Sequence, residues 1–173
     1  MANQIKKNKT KKKYPLKYIP KSLKKKNALL LKSEIDKSQK LYKKGKYYLR
    51  KSVKSMKVKP SKHVLNAKKI YNINNMKIDK TLEKATGCKL EGLQQIMKKG
   101  QGAYFTGSRP GQTPTSWGYA RLASAITGGK SAAVDFHILD KFCNHKTSKA
   151  YKLALKSMKK HNKGTRKVPK RYF

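Results

Sequence analysis

The chain has 173 residues, with 46 Lys or Arg against 7 Asp or Glu, a formal net charge of +39. Such an excess repels itself in a compact monomer and is relieved by a polyanion, which points first to nucleic acid and then to acidic proteins or anionic membrane surfaces. Apolar residues make up 36% of the chain, below the roughly 45–50% of ordinary globular domains, so one modest domain with extensions is expected rather than a large core. No stretch nears the roughly 20 apolar residues of a membrane span, and the lysine-rich opening residues lack the apolar run of a signal peptide.

In chain order, residues 1–26 alternate lysine clusters with Tyr14, Pro15, Tyr18, Ile19 and Pro20, a composition expected to stay extended when free. From Asn27 to about Leu49 the pattern turns helical. Leu31, Ile35, Ser38 and Tyr42 share a stripe, Asp36 and Lys40 are spaced as an i,i+4 pair, and Gly45 ends or kinks the helix. Residues 46–60 are basic and β-prone and read as extended. Ser61 suits the N-cap of a short helix carrying Val64, Ala67 and Tyr71. Residues 80–99 read as two helices broken at Gly87. The Gly/Ser/Pro-rich stretch 100–114 reads as irregular, with Gly100 and Gly102 allowing tight turns.

Thr113 and Pro114 then make a helix start, as N-cap and N1. Tyr119, Leu122, Ala123 and Ile126 form that helix's buried stripe, ended by Gly128 and Gly129. Ala132, Val134, Phe136 and Ile138 alternate with Asp135 and His137, a strand pattern for which a helix is the alternative. A final helix, roughly 148–160, places Tyr151, Leu155 and Met158 on its apolar face.

The fold class is therefore mainly α, with a small α+β arrangement as the alternative. The charge divides the chain. Residues 1–60 hold 22 Lys/Arg and 2 acids, residues 100–140 hold 3 and 2, and residues 141–173 hold 12 and none. The expected organisation is a lysine-rich arm with one helix (1–60), a compact core domain (61–145) and a basic C-terminal helix and tail (146–173).

Motifs for chemistry are weak. Gly128-Gly129-Lys130-Ser131 matches the end of a phosphate-binding loop, but Ser124 stands where its first glycine belongs, and such a loop follows a strand rather than a helix. The simpler reading is a helix stop followed by an exposed lysine. Cys88, Cys143, His137 and His145 lack zinc-site spacing, and read as two buried thiols, as in a reducing compartment, beside ordinary polar histidines. No nucleophile–base constellation stands out, so neither an enzyme nor a cofactor is expected. Leu82, Gly87, Cys88, Leu93 and Ile96 fit the apolar skeleton of a helix-turn-helix. Glu83 stands where a small residue normally lets the helices approach, and Glu91 and Gly92 suit DNA poorly; the alternative is two packed core helices.

Residues 100–124 hold the only tryptophan and few lysines. Arg109, Gln112, Trp117, Tyr119 and Arg121 form a candidate partner-binding set, because loop arginines suit bidentate contacts with carboxylate or phosphate. Lys11, Lys12, Lys13, Lys24, Lys25, Lys26, Lys43, Lys44, Arg50 and Lys51 form the candidate polyanion-binding arm.

The run GQGAYFTGSRPGQTPTSWGYARLASAITGGKSAAVDFHIL, with YPLKYIPKSL and LYKKGKYYLRKSVKS upstream, resembles an uncharacterised lysine-rich domain family of large double-stranded DNA viruses, including those of algae and amoebae. The resemblance covers most of residues 14–145 and brings no catalytic residues with it. It implies a viral origin and a place in the virion after synthesis in the host cytoplasm.

The expected function is a non-enzymatic structural component of such a particle, a minor capsid or internal cement protein in a multi-copy assembly. Its partners would be capsid or other virion proteins, with nucleic acid the other candidate. The alternative is a DNA-binding protein that condenses a genome or reads it through residues 80–99.

Overall fold

The computed structural model describes residues 12–53, 60–161 and 169–173. In chain order it holds β1 (Lys13–Pro15), α1 (Lys25–Tyr42), α2 (Lys62–Tyr71), α3 (Lys80–Thr86), α4 (Leu90–Thr106), α5 (Pro114–Ile126), α6 (Lys130–Val134), α7 (Phe136–Phe142), α8 (Lys149–His161) and β2 (Lys170–Tyr172). The fold is mainly helical, as composition and periodicity led one to expect.

Helices α4 and α5 form its spine, and two glycines set how closely they approach. A Cβ added to Gly100 would lie 2.7 Å from Gly118 Cα, and one added to Gly118 would lie 3.0 Å from the Met97 carbonyl oxygen. The two backbones therefore touch at the crossing. On the next face of α4, a Cβ at Gly92 would sit 2.5 Å from Phe142 Cβ, so α7 also packs directly onto the α4 backbone. α2, α6 and α8 close around α5, and α1 lies along α4. Leu82, Leu93, Ile96, Leu122, Ile126 and Leu139 are fully buried in the apolar core, and α8 adds Ala150 and Ala154 to it.

The local signals hold at several helix ends. Thr113 accepts from the Ser116 amide while Ser116 Oγ accepts from the Thr113 amide, a capping box with Pro114 at the first helical position. Asp79 caps α3 by accepting from the Thr81 and Leu82 amides. Gly87, at φ +69°, ends α3 where a side chain would be strained, and an added Cβ there would meet Ser148.

Other expectations are corrected. The stretch 100–106 is the last part of α4, not an irregular loop: its glycines serve close packing rather than turning. The first helix stops at Tyr42, short of Leu49, with Gly45 at φ +72° in the turn beyond. Residues 132–139 form two short helices, because the polar residue assigned to the solvent side, Asp135, is fully buried with cationic partners. On α8 the buried positions are Ala150, Ala154 and Ser157, one residue before Tyr151, Leu155 and Met158 in each turn. Asp36 pairs with Lys32 and Lys12 rather than with Lys40.

The cysteines are buried as expected but are joined. Gly87–Lys89 and Phe142–Asn144 meet in an antiparallel bridge, with the Lys89 amide donating to Phe142 O (2.8 Å) and the Asn144 amide to Gly87 O (2.9 Å). Cys88 and Cys143 at its centre form a disulfide. A separation of 55 residues gives a sequence reader no cue to that pairing.

The described parts of the two arms are ordered against each other. β1 and β2 pair antiparallel in the register Lys13↔Tyr172, Tyr14↔Arg171 and Pro15↔Lys170. The Leu16 amide donates to Pro169 O and Arg171 Nη1 to Pro20 O. Beneath them Tyr14 and Ile19 join Ala28, Leu31, Ile35 and Val53 in a second apolar cluster, with Phe173 against it. The extended-when-free expectation for residues 12–26 therefore gives way: the tyrosines and prolines between the lysines supply apolar anchors that α1 can cover. The rest of that expectation, residues 1–11, lies outside the described residues, as do residues 54–59 of the expected extended segment.

Gly100→Ala should destabilise the fold by about 1–3 kcal/mol through forced separation of α4 and α5, read as a lower urea midpoint. Reducing the Cys88–Cys143 bond should remove about 2–4 kcal/mol by releasing the closed loop; an unchanged midpoint under reductant would contradict this.

Candidate functional site

Two groups of cations flank the α4–α5 crossing. In the first, Arg121 on α5 faces Asp135, which sits between α6 and α7 and is 0% exposed. Arg121 Nε donates to Asp135 Oδ2 (2.7 Å) and Nη2 to Oδ1 (2.8 Å), the bidentate geometry that only arginine offers. Lys99 Nζ on α4 reaches Oδ1 at 2.8 Å. Burial pushes the Asp135 carboxyl up, but the hydrogen bonds and charges of Arg121 and Lys99 outweigh it and hold the group below the usual carboxylate range. The triad ties three helical segments together. A groove of about 460 Å³ lies beside it, lined by Tyr42, Lys98, Lys99, Gly102, Ala103, Thr106 and Arg121.

The second group has no ion-paired carboxylate among the described residues. Residues 107–113 join α4 to α5, and there Ser108 Oγ accepts from Arg50 Nη2 at 2.5 Å. The Arg50 guanidinium carbon lies 4.1 Å from the Tyr104 ring centroid, and its Nη1 is buried with no hydrogen-bond partner among the described residues. Tyr18 lies against Gly107, where an added Cβ would be 2.9 Å from the ring, and meets Trp117 edge-on at 6.4 Å. Lys17 Nζ is 5.2 Å from the same Tyr18 ring. Desolvation lowers the Lys17 ammonium from its ordinary value, and the charges of Arg109 and Lys130 lower it further. His63 is lowered by burial and then by Arg109. Through its charge Arg109 acts on Lys17 and Tyr18 of the N-terminal segment and on His63 of α2.

The residues singled out in the sequence divide accordingly. Arg109 is exposed. Gln112 accepts from Ser116 Oγ at the start of α5. Trp117 is half-buried on Tyr18, Tyr119 packs on the core, and Arg121 is held by Asp135. So that set does not converge on one surface. Of the arm residues, Lys12 bonds Asp36 and Gln39, Lys13 lies over the Tyr172 ring, and the Lys51 amide donates to Glu34. Lys24, Lys25, Lys26, Lys43 and Lys44 are exposed at the two ends of α1, and Lys11 lies outside the described residues. Lys17, His63 and Lys130 were missed as members of one cluster, because nothing periodic links residues so far apart; Lys130 carried the one available cue, an exposed lysine just past a glycine stop.

The motif readings resolve on geometry. Gly128–Ser131 connects two helices, and Ser124 occupies it: its carbonyl accepts from the Gly129 amide and its hydroxyl from the Ser131 amide. The turn therefore lacks the open amide cradle of a phosphate loop. Residues 80–99 do form two helices about Gly87, yet α3 lies against α2 and scarcely touches α4, while α4 is the central helix of the fold. A helix-turn-helix needs the first helix packed across the second.

Residues 15–144 match a family described as a family of unknown function (DUF5824), and the chain belongs to that family. No curated protein and no solved structure matches it.

Asp135→Asn should cost about 2–3 kcal/mol, since Arg121 and Lys99 lose a charged acceptor but can turn partly to solvent. The wild-type contribution is fully present above the unfolded aspartate value of about 3.9 and disappears as pH falls through the lower folded value. Urea midpoints across the acid range should therefore drop less steeply in the variant; parallel profiles would refute the ionised triad.

Proposed function

We propose that this protein is a non-enzymatic structural component of a large double-stranded DNA virus particle, a minor capsid or internal cement protein that uses its basic surface to hold acidic neighbours together. One observation carries the reading: nearly all of the chain's own acids are committed internally. Asp79 and Glu83 secure helix starts, with Glu83 accepting from the Leu90 amide and pairing with Lys80. Glu34 is buried under Tyr48 and Lys51, Asp36 takes Tyr14, Lys12 and Lys32, Asp135 takes Arg121 and Lys99, and Asp140 pairs with His145. That leaves the exposed lysines at both ends of α1 without compensating carboxylates, so neutralisation has to come from another molecule. The viral assignment rests on the resemblance of the SRPGQTPTSW region and its lysine-rich leader.

Two features favour a role in assembly over base-reading DNA recognition. The helix that would enter a groove is the spine of the fold, and the described arm segments are built onto α1 by tyrosine and isoleucine anchors rather than left as separate cationic tails. Sequence-blind attachment to a genome would use the same surface.

Dissociating purified particles with rising salt tests the reading. The protein should stay with the shell until the salt screens its lysines; release with the soluble core, and absence from the shell, would overturn the capsid assignment. In a gel-shift titration on duplex DNA, log affinity should fall linearly with log salt. Alanine at Lys24, Lys25, Lys26, Lys43 and Lys44 should flatten the slope by about 0.9 for each phosphate that is no longer neutralised.

A further inference from the structure

We infer that Lys17, Arg50 and Arg109, at the 107–113 loop that buries Ser108, form with Lys130 a discrete binding site for one phosphate group. This does not rest on the particle assignment, since the site would fill in isolated protein whatever its place in an assembly.

Among the described residues none of the four cations forms an ion pair. Glu34, bonded to the amide of the residue after Arg50, spends its oxygens on the Tyr48 hydroxyl and that Lys51 amide. Arg50 is contacted from two sides, by Ser108 and by the Tyr104 face, while its Nη1 is buried with no acceptor among the described residues. A buried donor of that kind costs free energy until an acceptor arrives. Elsewhere in the same fold a buried charge is fully matched, with Asp135 taking three charged hydrogen bonds. The contrast marks the Arg50 region as a place where the acceptor comes from outside.

The number and kind of cations select the ligand. A carboxylate carries one charge and is satisfied by a single arginine fork. Four cations on four separate chain segments suit a group with several oxygens and up to two charges, and phosphate provides both. Burial first, and then the charges of Arg109 and Lys130, depress the Lys17 ammonium, and a bound dianion would offset the repulsive part. Tyr18 packs against Gly107 and Trp117, and Lys17 Nζ lies over the Tyr18 ring beside that loop. From the Gly128–Ser131 turn the site takes only the Lys130 side chain, since Ser124 already occupies the Gly129 and Ser131 amides.

The test is thermal melting and ³¹P line broadening of the full chain with inorganic phosphate, at ionic strength held constant with sodium chloride. Phosphate should raise Tm saturably. Arg109→Ala and Lys130→Ala, both exposed positions, should each weaken phosphate at least tenfold, whereas Lys152→Ala/Lys156→Ala on α8 should bind like wild type. Equal weakening in the α8 variant, or no weakening in either site variant, would overturn the site. Acetate matching phosphate at equal concentration would overturn the choice of ligand. Trinucleotides identify the source: displacement of phosphate by the 5′-phosphorylated form alone assigns a terminal phosphate, and displacement by the 5′-hydroxyl form as well assigns a backbone one.

Discussion

The contact between the Gly100 and Gly118 backbones governs the rest of the molecule. Because α4 and α5 cross without intervening side chains, the 107–113 segment joining them must turn back over a very short gap. That turn buries Ser108 and carries Arg109 to the surface beside the N-terminal segment. The same crossing brings Lys99 on α4 and Arg121 on α5 to one point, where a single carboxylate from the α6–α7 junction serves both. A larger residue at either glycine would change both arrangements together.

Electrostatics in this chain is a matter of allocation. With 7 acids for 46 basic residues, general neutralisation is out of reach, and the carboxylates sit where each does most for local order. Two stand at helix starts, where amides would otherwise go unpaired. Asp36 fastens the N-terminal segment to α1 through Tyr14 and Lys12, and burial together with that bond pushes the Tyr14 hydroxyl well up. Asp135 fastens the core. The fold is thus internally balanced at a few points and strongly cationic elsewhere, which fits a protein that completes its electrostatics with a partner.

Helix existence and most helix starts were legible in the sequence. Thr113-Pro114, Ser61 and Gly87 each mark a boundary through a local backbone preference, and local preferences are what a reader of one sequence can weigh. The failures share a cause, since each depended on a contact distant in the chain. Asp135 broke the polar-outside rule because Arg121, 14 residues away, comes to meet it. Gly100 and Gly102 read as turn residues because the packed backbone of α5 and the Tyr42 hydroxyl that they face are invisible locally. Cys88 and Cys143 gave no spacing signal. For the candidate site, Arg109 was legible as an arginine in a loop, whereas its companions Lys17, Arg50 and Lys130 are three among many basic residues until the fold selects them.

The pairing of β1 with β2 has a mechanical side. In an antiparallel ladder, Lys13 and Tyr172 lie at the same end, so tension applied through the segments beyond them would open the pairs one after another instead of shearing all three together. The apolar cluster on α1 would be loaded next, and the helical spine last. A protein pulled at both ends in this way would give at its arms first, and Tyr18, packed on Gly107 and Trp117, would pass the strain to the 107–113 loop before the α4–α5 crossing felt it.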